Sequence, residues 1–220
     1  MERHAALVAF VLNAILLAVF AVIAVLDRDL ADRLTRENGA VEWLQIVLFA
    51  IAAVCAVRAA IDRWRADASP VFEVLVAAML VGLMMGEVDL DRVLAGRKIV
   101  SKRFLLDAEV WLGWRVLAFL AMVLPAMTLA LYALRQRRAL LTAIRRVTSE
   151  SPMRLFIAGM VILGFTETFE RSLERTPGLP RYVVEEVLEL AVAICFAIAF
   201  YAHWRLRRSE EKSLALAGGT

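Results

Sequence analysis

The chain has 220 residues, of which 61 % are hydrophobic and 22 % are charged, and its formal net charge is +3. A mean hydropathy of +0.69 beside so many charges requires the apolar residues to be gathered in long blocks, which excludes an ordinary soluble globular domain. The positive balance does not indicate nucleic-acid binding, because the cations are divided among segments between the blocks and form no basic domain.

Six apolar stretches predict the fold class, an all-α polytopic transmembrane helical bundle. Each is close to the roughly 17–25 residues that a helix needs to cross hydrocarbon, and the fifth is the shortest. The first exceeds the ~7–15 apolar residues of a signal peptide, so we expect it to remain in the mature chain. We predict one transmembrane helical domain over residues 1–220, with spans at 5–26, 41–61, 70–86, 110–134, 153–166 and 183–204.

The charges between the spans predict the orientation. The segments at one face carry fourteen cations and seven acids, whereas those at the other face carry twelve cations and sixteen acids. An excess of Lys and Arg marks the cytoplasmic face. We therefore expect a multi-pass protein of the bacterial inner membrane, in contact with the lipid bilayer, with both termini in the cytoplasm. The basic segment 135–154 is expected to contact anionic lipid.

The cysteines and histidines suggest no site of their own. Cys55 and Cys195 both fall in the middle of a span, where free cysteine behaves as a small apolar side chain. His4 precedes the first span and His203 ends the last. The spacing of these residues matches no zinc-ligand pattern.

The segment Glu87–Lys102, EVDLDRVLAGRKIVSK, is the main functional candidate. It ends an apolar run with three carboxylates in five residues and then continues into cations and a serine. Ionisable groups at a membrane face are costly to hold and are often functional, although charged loops beside spans are also common. Ser101 follows Lys98 by three residues, a weak signal for a nucleophile and its base. The candidate residues are Glu87, Asp89, Asp91, Lys98, Ser101 and Lys102.

Other spans deliver carboxylates to the same outer face. Residues four apart share a helix face, so Glu185 and Glu189 lie one above the other in span six. Glu186, about 100° around that helix, is expected to meet headgroups or Arg181. Arg115 lies about one turn inside span four and is expected to pair with outer acids, or to extend to the surface. Three further candidate acids of this face near span ends are Glu42, Glu167 and Glu170.

Several short motifs carry a resemblance. The segments ENGAVEWLQ, GEVDLDRVLAGRKIVSKRFL, DAEVWL and VEEVLELA resemble those of an uncharacterised family of small bacterial polytopic inner-membrane proteins. Members tend to have an E-x-D motif followed by a K-S-x-Y/F segment. The corresponding residues here are Glu87, Asp89, Lys98, Ser101 and Phe104. The resemblance implies a shared site and no particular activity.

Three functions are compatible with this pattern. Clustered carboxylates at a low-dielectric boundary repel one another unless cations, protons or a metal compensate, and hard oxygen ligands favour Ca²⁺, Mg²⁺ or Mn²⁺. The first hypothesis is cation or proton binding for transport or sensing, with a divalent cation held by Glu87, Asp89, Asp91, Glu185 and Glu189. The second is a membrane-embedded lipid hydrolase or transferase, in which Lys98, Lys102 and Arg115 bind a phosphate head group. The third is a non-catalytic assembly or partner subunit. The sequence is compatible with a monomer or an oligomer.

Overall fold

The computed structural model describes residues 2–35, 39–87, 110–173 and 181–217. Within these ranges the side chains are described except at 2–4, 32, 87, 122, 167–173, 181, 182 and 210–217. The described ranges contain eight helices and no strand: α1 (Glu2–Leu26), α2 (Arg28–Leu34), α3 (Ala40–Arg65), α4 (Val71–Glu87), α5 (Leu112–Arg135), α6 (Arg137–Ser149), α7 (Ser151–Leu173) and α8 (Arg181–Ala217).

Every predicted apolar stretch forms a helix, which confirms the all-α fold class. Among the described residues, three helices are long and apolar enough to cross a membrane: Ala5–Leu26, Ala40–Arg65 and Leu112–Arg135. Two apolar helices, Val71–Gly86 and Ser151–Thr166, are shorter. Length and composition therefore support a helical membrane protein.

The core lies where α3, α4, α7 and α8 pack together, and phenylalanine rings occupy its centre. Phe156 of α7 lies 5.1 Å from Phe196 and 5.3 Å from Phe200 of α8, between ring centroids. Phe72 of α4 meets Phe156 edge-on at 6.3 Å. Such tilted and edge-on pairs add to the stabilisation from burial of the rings. The rings therefore fix how α4, α7 and α8 sit against one another.

The helix α1 packs along α8. Phe20 of α1 belongs to a buried apolar cluster with Val41 of α3 and Val187 of α8. The amide of Asn13 donates a hydrogen bond to Cys195 Sγ at 3.4 Å. Cys55 and Cys195 are both buried and free, in agreement with their prediction as small buried side chains.

Much of the apolar surface of α1 and α5 remains exposed. Phe10 on α1 is 72 % exposed, and on α5 Leu117 and Leu131 are 55 % and 53 % exposed. Side chains of this kind facing outward along a whole helix are unfavourable in water and suited to hydrocarbon. These two helices therefore present the surface expected towards lipid.

Two helices, α2 and α6, lie between the predicted spans. In α2, the side chain of Asp27 accepts a hydrogen bond from the Leu30 amide at 2.9 Å and caps the helix. In α6, Ala143 and Val147 are buried on the face that meets the core, and the four arginines of the helix lie outside that face. The basic segment 135–154 is therefore mostly an amphipathic helix, because its apolar residues recur at helical spacing.

Candidate functional site

The N-terminal parts of α3 and α8 meet at one end of the bundle, here called the carboxylate end. Gln45 is fully buried there. Its Nε2 donates hydrogen bonds to the backbone oxygen of Glu186 at 3.0 Å and to Glu186 Oε2 at 3.1 Å. We expected Glu186 to meet headgroups or Arg181, and the structure places it in contact with Gln45 of α3. The contact joins the two helices beside their carboxylates.

Three of the predicted outer acids lie at the carboxylate end. Glu42 is on the first turn of α3, and Glu185 and Glu189 are on the second and third turns of α8. All three side chains are half-buried. Their positions on two packed helices bring the three acids to the same end of the bundle, and their place at the outer membrane face stays a prediction. Half-buried carboxylates are only partly hydrated, so they are sensitive to nearby cations and protons.

The rest of the predicted site falls outside the described residues or side chains. Among the side chains that the structure describes, no group of three or more His, Cys, Asp and Glu is arranged to hold a metal ion. The predicted residues that lie outside this part are the side chains of Glu87, Glu167 and Glu170 together with Asp89, Asp91, Lys98, Ser101, Lys102 and Phe104.

Arg115 lies on the first turn of α5, as predicted, and is half-buried. Its Nε is buried and donates no hydrogen bond to any residue in the described ranges. A buried guanidinium group is costly without an acceptor. The pairing of Arg115 with an outer acid stays a prediction.

The opposite end of the bundle, here called the arginine end, holds a buried ion cluster at the junction of α3, α4, α7 and α8. The His203 ring lies at its centre and is fully buried. Nδ1 of His203 is 3.0 Å from Glu150 Oε2, and Nε2 is 3.5 Å from Glu73 Oε1. An imidazole that faces carboxylates on both sides is best satisfied when both nitrogens carry protons. The geometry therefore suits a positively charged histidine between two negative charges.

Arginines surround the same two carboxylates. Arg207, one helical turn beyond His203, pairs with Glu150 Oε1, and Arg146 lies 3.7 Å from the same oxygen. Arg63 Nε lies 3.7 Å from Glu73 Oε1 and donates a hydrogen bond to the backbone oxygen of Ser69 at 3.0 Å. A buried carboxylate is stable only when cations and donors compensate its lost hydration.

Glu150 lies in the two-helix junction between α6 and α7, and its pKa reflects its neighbours. Partial burial raises the pKa of its carboxyl, but the hydrogen bond with His203 and the charge of Arg207 outweigh this, so the pKa lies below its ordinary value. Glu73 is in a different position, because it is fully buried and its oxygens accept no hydrogen bond from the described residues. The two carboxylates are therefore unequally stabilised.

Sequence analysis missed this cluster. It treated His203 only as the end of a span, and it assigned no site to Glu73 or Glu150. One local signal was present: His203 and Arg207 are four apart and share a face of α8. Their partners are 53 or more residues away along the chain, and no local pattern reports contacts of that separation.

The carboxylate and arginine ends are separated by apolar packing. Fourteen residues separate Glu189 from His203, which corresponds to about 21 Å along a helix. The buried side chains between them include Leu190, Phe196 and Phe200. The face of α8 that meets the core is therefore apolar between the two ionisable regions.

These features define an α-helical protein of the membrane-protein class, with ionisable groups at both ends of an apolar bundle. Comparison of the chain with protein-family models, with curated proteins and with solved structures finds no match. The functional argument therefore comes from the geometry of these residues.

Proposed function

We propose that the chain is a six-span protein of the bacterial inner membrane that binds protons or a divalent cation at its carboxylate end, as part of sensing or transport. The carboxylate end would face outward and the arginine end the cytoplasm, in line with the distribution of Lys and Arg. The three long apolar helices and the two shorter ones support five spans. The apolar, buried middle of α8 supports the sixth.

The contact between Gln45 and Glu186 carries the proposal. It holds α3 and α8 together at the level where Glu42, Glu185 and Glu189 are half-buried. Several carboxylates gathered at this boundary repel one another, and bound protons or a bound cation would relieve that repulsion. Oxygen ligands of this kind favour Ca²⁺, Mg²⁺ or Mn²⁺, and Glu87, Asp89 and Asp91 remain the proposed further ligands.

The apolar middle of α8 favours sensing over conduction. A pathway through the bundle would require polar positions across the membrane, and the buried residues between Glu189 and His203 are apolar. Binding at the carboxylate end would instead change how α3 and α8 pack, since both helices carry the acids.

Thermal unfolding of the purified protein tests cation binding. A ligand that binds only the folded state raises Tm, so we expect Ca²⁺, Mg²⁺ or Mn²⁺ to raise Tm above its value in chelator. Glu189→Gln should remove this response, whereas Asp67→Asn, an exposed site at the arginine end, should retain it. If no ion changes Tm, and Glu189→Gln is no more stable than the parent in chelator, both cation and proton binding are contradicted.

The orientation has its own test. A reporter fused after Lys212 should be active only in the cytoplasm, and one inserted at Gly96 only outside. The reverse pattern would contradict the topology.

A further inference from the structure

An open cleft lies at the arginine end, on the outer surface of α3 and α8. It has a volume of about 430 Å³ and is lined by Arg58, Ile61, Asp62, Arg65, Trp204 and Arg208. None of these residues belongs to the buried ion cluster. Three arginines and one aspartate give the lining an excess of positive charge, so the cleft suits an anion.

The indole ring of Trp204 organises two of these arginines. The guanidinium carbon of Arg58 lies 5.5 Å from the ring centroid, and that of Arg208 lies 5.7 Å from it. Cation–π contacts of this kind hold a guanidinium group in place while its N–H edges stay available. The ring therefore brings two positive charges from different helices together.

Within the described part of the chain, no ion pair joins a cleft arginine to a carboxylate. The ion pairs found there involve Arg63, Arg146 and Arg207, and none involves Arg58, Arg65 or Arg208. Three arginines beside the single aspartate Asp62 leave an excess of positive charge, and an anion would relieve the repulsion among them. A phosphate group matches the planar N–H fork of arginine.

An exposed apolar stripe leads into the cleft. Val47, Ile51 and Val54 are 51 %, 45 % and 54 % exposed, and their spacing places them on the same face of α3 as Arg58. The stripe runs from the cleft along the apolar part of the helix. Apolar side chains beside a cationic cleft fit a ligand with a charged head and a hydrocarbon chain.

We propose that the cleft binds an anionic phospholipid, with its phosphate group between Arg58, Arg65 and Arg208 and an acyl chain along Val54, Ile51 and Val47. The proposal shares the membrane setting of the proposed function but does not depend on cation binding. Free phosphate and a lipid phosphate group offer the arginines the same chemistry. The apolar stripe favours the lipid, because only the lipid has an acyl chain to cover it. Trp204 lies where aromatic residues meet the headgroup layer.

The experiment uses the full chain in a neutral detergent. Phosphatidylglycerol, phosphatidylcholine and inorganic phosphate are added separately, and Tm and lipid retention in native mass spectrometry are measured. We expect phosphatidylglycerol to be retained and to raise Tm by linkage, with smaller effects from the zwitterionic lipid and from inorganic phosphate.

The cleft variants then locate the site. The double variant Arg58→Gln/Arg208→Gln should bind phosphatidylglycerol about tenfold or more weakly, because charge-assisted hydrogen bonds to the phosphate are lost. Ile61→Glu, at a position 40 % exposed, should weaken binding by adding a negative charge. Arg205→Gln is the matched control, since Arg205 stacks on Tyr201 of the same helix at 6.0 Å but does not line the cleft.

Three results would overturn the proposal. The first is equal affinity for phosphatidylglycerol in the parent and both cleft variants. The second is a Tm increase from inorganic phosphate as large as that from the lipid, which would define a free-phosphate site. The third is loss of lipid binding in Arg137→Gln/Arg138→Gln of α6 with retention in the cleft variants. An absent cation response would contradict the proposed function and leave this proposal intact.

Discussion

His203 Nδ1 lies 3.0 Å from Glu150 Oε2, and this contact ties the C-terminal half of α8 to the junction between α6 and α7. The histidine is fully buried and the glutamate nearly so, with 12 % of its side chain exposed. On the other side of the ring lies Glu73, at the start of α4. One side chain therefore links three parts of the chain that are distant in sequence.

Removal of His203 is expected to destabilise the protein. His203→Leu would leave two buried carboxylates without the cation between them, and breaking a buried ion pair typically costs about 3–5 kcal/mol. We expect a clear fall in Tm, while Arg205→Gln, an exposed position two residues along the helix, should change it little. In a double-mutant cycle, His203→Leu should cost less when Glu150 is already Gln. An additive cycle would contradict the coupling.

The Glu150 contact also predicts a dependence on pH. Because the folded-state pKa of Glu150 lies below the unfolded value, its contribution to stability is present above about pH 4.3, the ordinary glutamate value, and is lost as the pH falls through the folded-state pKa. The stability advantage of the parent over Glu150→Gln should therefore be constant near neutral pH and shrink in acid. An advantage unchanged down to the most acidic pH at which the protein folds would contradict this.

Gly159 is expected to be required for the close packing of α7 on α8. A Cβ atom at this position would lie 2.6 Å from Cε1 of Phe196, a ring held on several sides by other phenylalanines. Gly159→Ala should therefore lower Tm. Gly82→Ala on α4 is the control, because no atom of the described residues lies within 4 Å of its Cβ position, and alanine there should raise helix stability by up to about 1 kcal/mol. Equal effects at both positions would contradict the packing argument.

Arg115 is expected to have an acidic partner. Arg115→Leu should reduce the folded yield in detergent, since an outer acid would lose its cation, and Arg115→Lys should restore the yield only in part because lysine lacks the planar fork. Arg135→Gln, an exposed position at the other end of α5, is the control. An Arg115→Leu protein as stable as the parent would show that Arg115 makes no stabilising pair.

The helices could be predicted from the sequence because a long apolar block is a local property. Residues 41–61 were expected to be helical and lie within α3, and the expected span 110–134 is helical from Leu112 onward in α5. The same reasoning placed Glu185 and Glu189 near one end of the bundle. The short amphipathic helix α6 was missed, since it has only 13 residues and its apolar positions lie between two pairs of arginines or next to them.

Only the tertiary structure decided which ionisable groups meet. His203 follows a run of apolar residues, and Glu73 and Glu150 each resemble an acid at a helix start. The residues near each of the three therefore do not identify the other two as its partners. Their ion cluster forms because α4, α7 and α8 pack through Phe72, Phe156 and Phe200. The sequence by itself determined where helices form and where charge accumulates, through residues close along the chain. The packing of distant helices determined which charges are buried together, because the cost of burying each one is offset only by partners that folding brings to it.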